Sequence, residues 1–370
     1  MGVELLLREY RPRPRAVLRE TAIERPRFSV IDAHNHLGET FGGSWIRWPA
    51  SELLNVLDQA GVQVLVDLDG GWGETFLEQH LEHFQAVAPE RFVHFGGVDW
   101  SRWTEHGHGF GEWAAGRLRV QAQRGAGGLK IWKGFGLQVR DPDGRLAAVD
   151  DRRLDPIWET AAELGLPVVI HVADPVAFFD PLDVHNERWE ELQAHPEWHF
   201  PAPPYPPFLS IIDGLASLVL RHPRTTFIGA HVGCYAEDLA WVGDLLDRAP
   251  NFHVDIAARI AELGRRPYGA RRFFLRYADR ILFGTDLPAV LPMYQIHYRF
   301  LETDDEHFAY GLSDPPDQGR WRIYGLDLPD DVLEKVYFRN AERVILRRSA
   351  PTLGPRETEV RDATAEGGGI

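Results

Sequence analysis

The sequence contains a single cysteine, Cys234, which excludes an intrachain disulfide and suits a reducing compartment. No run approaches the roughly 20 apolar residues that a membrane-spanning helix needs. Basic residues never cluster into a nucleic-acid footprint, and 55 Asp and Glu outnumber 40 Lys and Arg for a net charge of −15. Such a surface favours solubility and disfavours polyanionic partners. The opening stretch MGVELLLREYRPRPRAVLRE lacks the sustained apolar core of a secretory signal. Leu6 stands where a myristoylation motif requires Ser or Thr. These absences lead us to expect a soluble cytoplasmic protein with a small-molecule substrate and no nucleic-acid or membrane partner. A homodimer is possible.

What is present is apolar. Hydrophobic residues make up 44% of the 370, enough for a packed core, and 12 Trp among 11% aromatics suit a ring-lined pocket. Eight apolar runs read as buried parallel strands, at roughly 28–36, 62–69, 91–99, 126–133, 167–173, 225–231, 251–257 and 280–286. Helical patterns with readable ends lie between most of them. SELLNVLDQAG follows Pro49 and stops at Gly61, LDPIWETAAELG stops at Gly165, and AEDLAWVGDLLDRAP stops before Pro250. The last, DDVLEKVYFRNAERVI, opens on two acids that suit a helix N-terminus. Eightfold alternation predicts a closed (β/α)₈ barrel. An open doubly wound sheet would bring a Gly-rich phosphate loop after the first strand, and DAHNHLGETFGG is not one.

The barrel is expected over 28–347, with 1–27 as an N-terminal arm and 348–370 as a disordered tail of almost no apolar content. Two connections exceed simple turns. Residues 175–207 carry eight prolines with Trp189, Trp198 and Phe200, and residues 287–328 carry Met293, Tyr294, His297, Tyr310 and Trp321. Both leave the C-terminal ends of strands, where loops act as lids or pocket walls, or alternatively form a subunit contact.

Five polar residues close these strands: His34 and His36 in VIDAHNHLG, His171 in PVVIHVAD, His231 in TTFIGAHVG and Asp286 in RILFGTDLP. In a barrel, the C-terminal strand ends converge on one mouth, so distant residues can meet there. His34 and His36, two apart in a strand, face one side. Two neutral imidazoles, joined by His171 and Asp286, form a His₃-Asp shell for a divalent ion of the zinc type, with manganese as the alternative. An open coordination position would let the ion activate water, with Asp286 taking up the proton. His231 would orient that water, polarise the substrate or bind a second ion.

With IDAHNH, IGAHVG, RILFGTDLP and the final-helix KVYFRNAERVI, the chain resembles the amidohydrolase superfamily over residues 28–346. Within it, the chain resembles the amidohydrolase 2 branch that includes aminocarboxymuconate-semialdehyde decarboxylase-like enzymes. The resemblance implies His34, His36, His171 and Asp286 as metal ligands and His231 as catalytic. It also places Lys130, in GGLKIWKGFG, where binuclear members carry a carboxylated lysine between two metals. One metal is the expectation here. Lys130 would otherwise be a free ammonium on the substrate or a buried partner of Asp67 or Asp99, with Trp132 on its side of the strand and Lys133 on the other. Arg259, just past the seventh strand, either grips a substrate carboxylate or pairs with Asp255 or Glu262. His253 is expected on the helix-facing side. Cys234 has no base beside it in sequence and is not expected to act as a nucleophile.

The expected reaction is metal-dependent hydrolysis of a C–O or C–N bond in a small organic molecule. The alternative is non-oxidative decarboxylation of an aromatic or enol carboxylic acid. A third reading, a metal that only supports a binding scaffold, fits poorly with an open ligand set.

Overall fold

The computed structural model describes residues 4–6, 9–10, 12–13, 15–39 and 43–347. Eight parallel strands pair in sequence order: β1 (Val30–Asn35), β2 (Val62–Asp67), β3 (Phe92–Gly96), β4 (Gly128–Ile131), β5 (Val168–Ile170), β6 (Phe227–Gly229), β7 (Phe252–Asp255) and β8 (Ile281–Leu282). Each lies inside its expected run and is shorter, because the last residues of each run turn into the mouth. The sheet closes through Ala33 N donating to Phe283 O at 2.9 Å and Asp286 N donating to His34 O at 2.8 Å. The result is the expected (β/α)₈ barrel.

The helices sit where their patterns place them. The first spans Ala50–Ala60, buries Leu53 and Leu57, and ends on Gly61 at φ 75°. Only glycine adopts that left-handed turn without strain. Asp155–Glu163 and Leu239–Arg248 follow β4 and β6, the second with Asp238 accepting from the N–H groups of Ala240 and Trp241. Inside the barrel, Ile31, Ala33, Val64, Val66, Phe95, Val169, Ile228 and Leu282 form one apolar cluster, joined by Ala341, Val344 and Ile345 of the final helical segment. A larger cluster fills the space between strands and helices.

The long loops contain structure of their own. Residues 175–207 include short helices at Trp189–Ala194 and Pro196–Trp198, and the segment after β8 forms a helix over Leu291–Glu302. Arg320 of the second loop pairs with Glu190 of the first at 2.7 Å, while Arg188 pairs with Glu191 in its own loop at 2.8 Å and with Glu262 after β7. The described part of the N-terminal arm lies against the β8 connection and the start of the final helical segment. There Thr21 donates twice to Asp305, both at 2.7 Å, and Arg27 pairs with Asp330 at 2.9 Å. The tail expected over 348–370 lies outside the described residues. No helix among the described residues is long and apolar enough to cross a membrane.

Candidate active site

The strand ends bring the five expected residues to one place, and all but Asp286 are nearly inaccessible. Asp286 Oδ1 lies 3.8 Å from His34 Nε2 and 3.5 Å from His36 Nε2, while its Oδ2 lies 3.6 Å from His231 Nε2. These spacings exceed a hydrogen bond and suit ligands that share one ion. Two ligands at about 2.0–2.2 Å from a tetrahedral centre stand roughly 3.3 Å apart. Atoms of His34, His231 and Asp286 all lie within 4.8 Å of one another. His171 stands beside that group, its ring edge-on to His231 at 4.4 Å between centroids, with Nε2 3.4 Å from Asp174 Oδ1. Neither of its ring nitrogens makes a hydrogen bond of good geometry, an unusual state for a buried imidazole.

Each histidine is aimed from behind. His34 Nδ1 donates to Asp255 at 2.8 Å, His36 Nδ1 to Asp69 at 2.6 Å, and His231 Nδ1 to the carbonyl of Ala257 at 2.8 Å. Such bonds fix the tautomer with Nε2 forward, as metal-binding imidazoles require. Burial, reinforced by neighbouring cations and imidazoles, holds His34 and His231 well below the usual histidine range, and burial takes His171 down to about 4. All three are therefore neutral ligands at neutral pH. In His36, burial is outweighed by the Asp69 carboxylate and the shift is upward. Left-handed backbone at His231 (φ 58°), Ala258 (φ 52°) and Asp286 (φ 49°) marks strain at three of these strand ends. Asp255 Oδ1 holds two of the turns by accepting from His231 N and Ala257 N. The grouping of His34, His231 and Asp286, with His36 and His171 beside them, and the neutral imidazoles of His34, His171 and His231 fit a divalent ion.

Lys130 points into this centre, its Nζ 3.3 Å from His34 Nε2. It does not pair with Asp67 or Asp99. Asp67 is occupied by His80 and His94, and Asp99 caps a short helix through Ser101. Lys133 corrects another expectation. Although β4 alternation assigned it to the far side, the strand ends at Ile131, and Lys133 lines the same cavity as Trp132. There it pairs with Asp174 and faces the rings of Trp132, Trp198 and Phe200 at 5.3–5.6 Å.

The cavity above the centre holds about 790 Å³ and is lined by His36, His171, His231 and Asp286 at one end. Trp132, Phe178 and Trp198 form one wall, and Met293, Tyr310 and Pro316 another. Both long loops thus build the pocket, as expected of them. Arg259 lines it too, buried, and donates to the carbonyl of Ala258 at 2.8 Å. It pairs with neither Asp255, which serves His34, nor Glu262, which serves Arg188. Among the described residues no carboxylate forms an ion pair with it. His253 is buried on β7 near Arg280 and Arg343, away from the centre. Cys234 is also buried, its thiol pushed up to about 11 by burial, which removes it as a nucleophile. Sequence reasoning missed Asp69, Asp174 and the Asp67–His80–His94 group; only their tertiary neighbours give them meaning.

Residues 31–346 match the family model described as Amidohydrolase. Among solved structures, the chain is similar to 2,6-dihydroxybenzoate decarboxylase from Rhizobium, with 17% identity, TM-score 0.53, and 86% of this chain and 99% of that one covered. It is also similar to a dihydroxybenzoic acid decarboxylase from Polaromonas sp. JS666, with bound manganese and the inhibitor 2-nitroresorcinol. That match has 17% identity and TM-score 0.52, and covers 87% of this chain and 98% of the other. An uncharacterised TIM-barrel protein from Bordetella bronchiseptica matches with 16% identity, TM-score 0.51, and 86% and 99% coverage. No curated protein matches the sequence significantly.

Proposed function

The chain belongs to the amidohydrolase family, and from that premise we propose that it is a divalent-metal-dependent decarboxylase of a small aromatic carboxylic acid. The observation that carries this reading is Arg259. A buried guanidinium that lines the cavity without an ion-paired carboxylate needs an anion, and a planar carboxylate fits its fork. The ring-lined wall of Trp132, Phe178 and Trp198 supports an aromatic body for that substrate. The decarboxylase activities of the Rhizobium and Polaromonas proteins agree with the same assignment.

In this reading His34, His36, His171 and Asp286 hold the ion, zinc or manganese. His171 joins the set because its buried ring stands beside His231 and makes no hydrogen bond of good geometry, its Nε2 lying 3.4 Å from Asp174. When bound, the ion would supply Lewis acidity toward a substrate oxygen. Arg259 holds the carboxylate while the carbon–carbon bond breaks, carbon dioxide leaves, and the electron pair stays on the substrate carbon. A proton taken up from solvent passes through Asp286, with His231 Nε2 3.6 Å away, to that carbon and replaces the lost group. Trp132 and its neighbours keep water from the carbanion-like centre. Lys130 would remain an amine beside His34, with one ion held rather than two.

Hydrolysis is the second reading, favoured by the same Asp286–His231 pair, which would serve a water molecule equally well. A substrate panel separates the two. Purified protein is offered hydroxylated benzoates and enol carboxylic acids in one arm, lactones and amides in the other, while carbon dioxide and acid release are followed. Carbon dioxide from the first arm, lost on metal removal and regained with manganese or zinc, is the expected result. Acid release from the second arm alone would overturn decarboxylation in favour of hydrolysis.

A further inference from the structure

Behind the centre lies a second group of titratable side chains that the proposed chemistry does not use. Asp67 Oδ2 accepts from His80 Nδ1 at 2.7 Å and from His94 Nδ1 at 2.8 Å. Asp67 Oδ1 accepts from the backbone N–H groups of Leu37 and Asp69, both at 3.3 Å. Asp69 in turn takes His36 Nδ1 on Oδ1 at 2.6 Å, and Leu37 N on Oδ2 at 2.9 Å together with Gly38 N. His80 Nδ1 also lies 3.8 Å from Asp69 Oδ2. His36, Asp67, Asp69, His80 and His94 are each at most 3% exposed.

Asp67, His80 and His94 offer three donor atoms within 4.8 Å, so the first question is whether they form a metal site themselves. Their spacing argues against it. Contacts of 2.7 and 2.8 Å are those of N–H···O⁻ hydrogen bonds, whereas atoms sharing a tetrahedral ion stand about 3.3 Å apart. The spacings around Asp286, 3.5–3.8 Å, fall on the other side of that divide. The group is a bonded support, and Asp69 is its side-chain contact with His36, beside the weaker backbone link from Leu37 N to Asp67. Gly38 shows how closely that contact is built, since a Cβ there would come within 2.8 Å of Asp69 Oδ2.

We propose that His80 is a positioning residue for the metal centre: by holding Asp67, and through it the Asp69 carboxylate, it fixes the ring of His36 in its ligating orientation. This rests on the reading that His36 binds an ion. Without the His80 donor, Asp67 keeps one imidazole instead of two, and the two acids at the end of β2 repel with less compensation. Asp69 then shifts, and His36 loses its fixed tautomer. Loss of such an outer partner lowers metal affinity about 10- to 100-fold.

The test compares His80→Asn, whose amide nitrogen reaches the position of Nδ1, with His80→Gln, whose amide reaches toward Nε2, and with His80→Leu. Zinc affinity is measured by chelator competition, and the visible spectrum is recorded with cobalt as the probe. Expected are near-native affinity and spectrum for His80→Asn, and a 10- to 100-fold loss with an altered cobalt spectrum for His80→Gln and His80→Leu. Should His80→Leu fail to fold, the Asn and Gln pair still decides. Equal zinc affinity and identical spectra across the variants would overturn the positioning role alone. A native protein that binds no zinc would overturn the metal reading instead.

Discussion

Arg259 and Lys133 are two cations in one cavity with opposite situations. Lys133 is satisfied by Asp174 and three rings, whereas Arg259 donates to a backbone carbonyl and, among the described residues, forms no ion pair, with the charge of Glu191 felt only at longer range. In the proposed reaction, that difference is the reason the substrate carboxylate is given to Arg259 rather than Lys133. Replacing Arg259 by Met is expected to raise KM for a carboxylate substrate about 10- to 100-fold, the scale of a lost charge-assisted hydrogen bond. Binding of a neutral ester analogue should hardly change, and equal losses for acid and ester would remove the anion-binding role. The five residues of the centre were legible in sequence because each closes an apolar run, a purely local signal. Asp69 and Asp174 were not, and Asp255 stood out only as a partner for Arg259 rather than for His34, because a carboxylate's partner is decided by which loop arrives beside it. Lys133 was misplaced for a related reason: alternation holds only while the strand lasts, and β4 ends two residues before it.

At the scale of elements, eight strands and most helices followed from apolar runs and their Gly and Pro stops, while the interior of the long loops did not. Prolines marked residues 175–207 as irregular, yet the short helices there depend on contacts such as Arg188 with Glu191. The helix Leu291–Glu302 was hidden inside a segment read only as a long connection. Its His297 is fully buried against Phe283 and donates through Nδ1 to Met293 O at 2.9 Å, with Nε2 unpartnered. Burial pushes this imidazole down from 6.5 to about 4. The unfolded chain therefore takes up the proton at higher pH than the folded one. The helix's stability is full above about 6.5 and declines as pH falls through about 4. His297→Phe, which keeps the packing and removes the titration, should show a shallower fall in Tm across that window. A slope identical to that of the native protein would mean that His297 is not the group responsible.

For the whole molecule, barrel closure is what turns eight separate strand ends into one site. The bonds Ala33 N to Phe283 O and Asp286 N to His34 O join the first strand to the last. They also place Asp286 between His36 on one side and His231 on the other. An ion bound by residues from β1, β5 and β8 would cross-link the folded barrel and not the unfolded chain, so it would raise Tm with its concentration. The substrate remained illegible in sequence, since loops rather than strands shape the cavity. The most direct measurement is metal stoichiometry by elemental analysis after equilibration with zinc or manganese, on the native protein and on His36→Ala and His171→Ala. About one equivalent per chain in the native protein, with clear loss in both variants, is expected. No bound metal in the native protein, or undiminished metal in both variants, would contradict a centre built from these side chains.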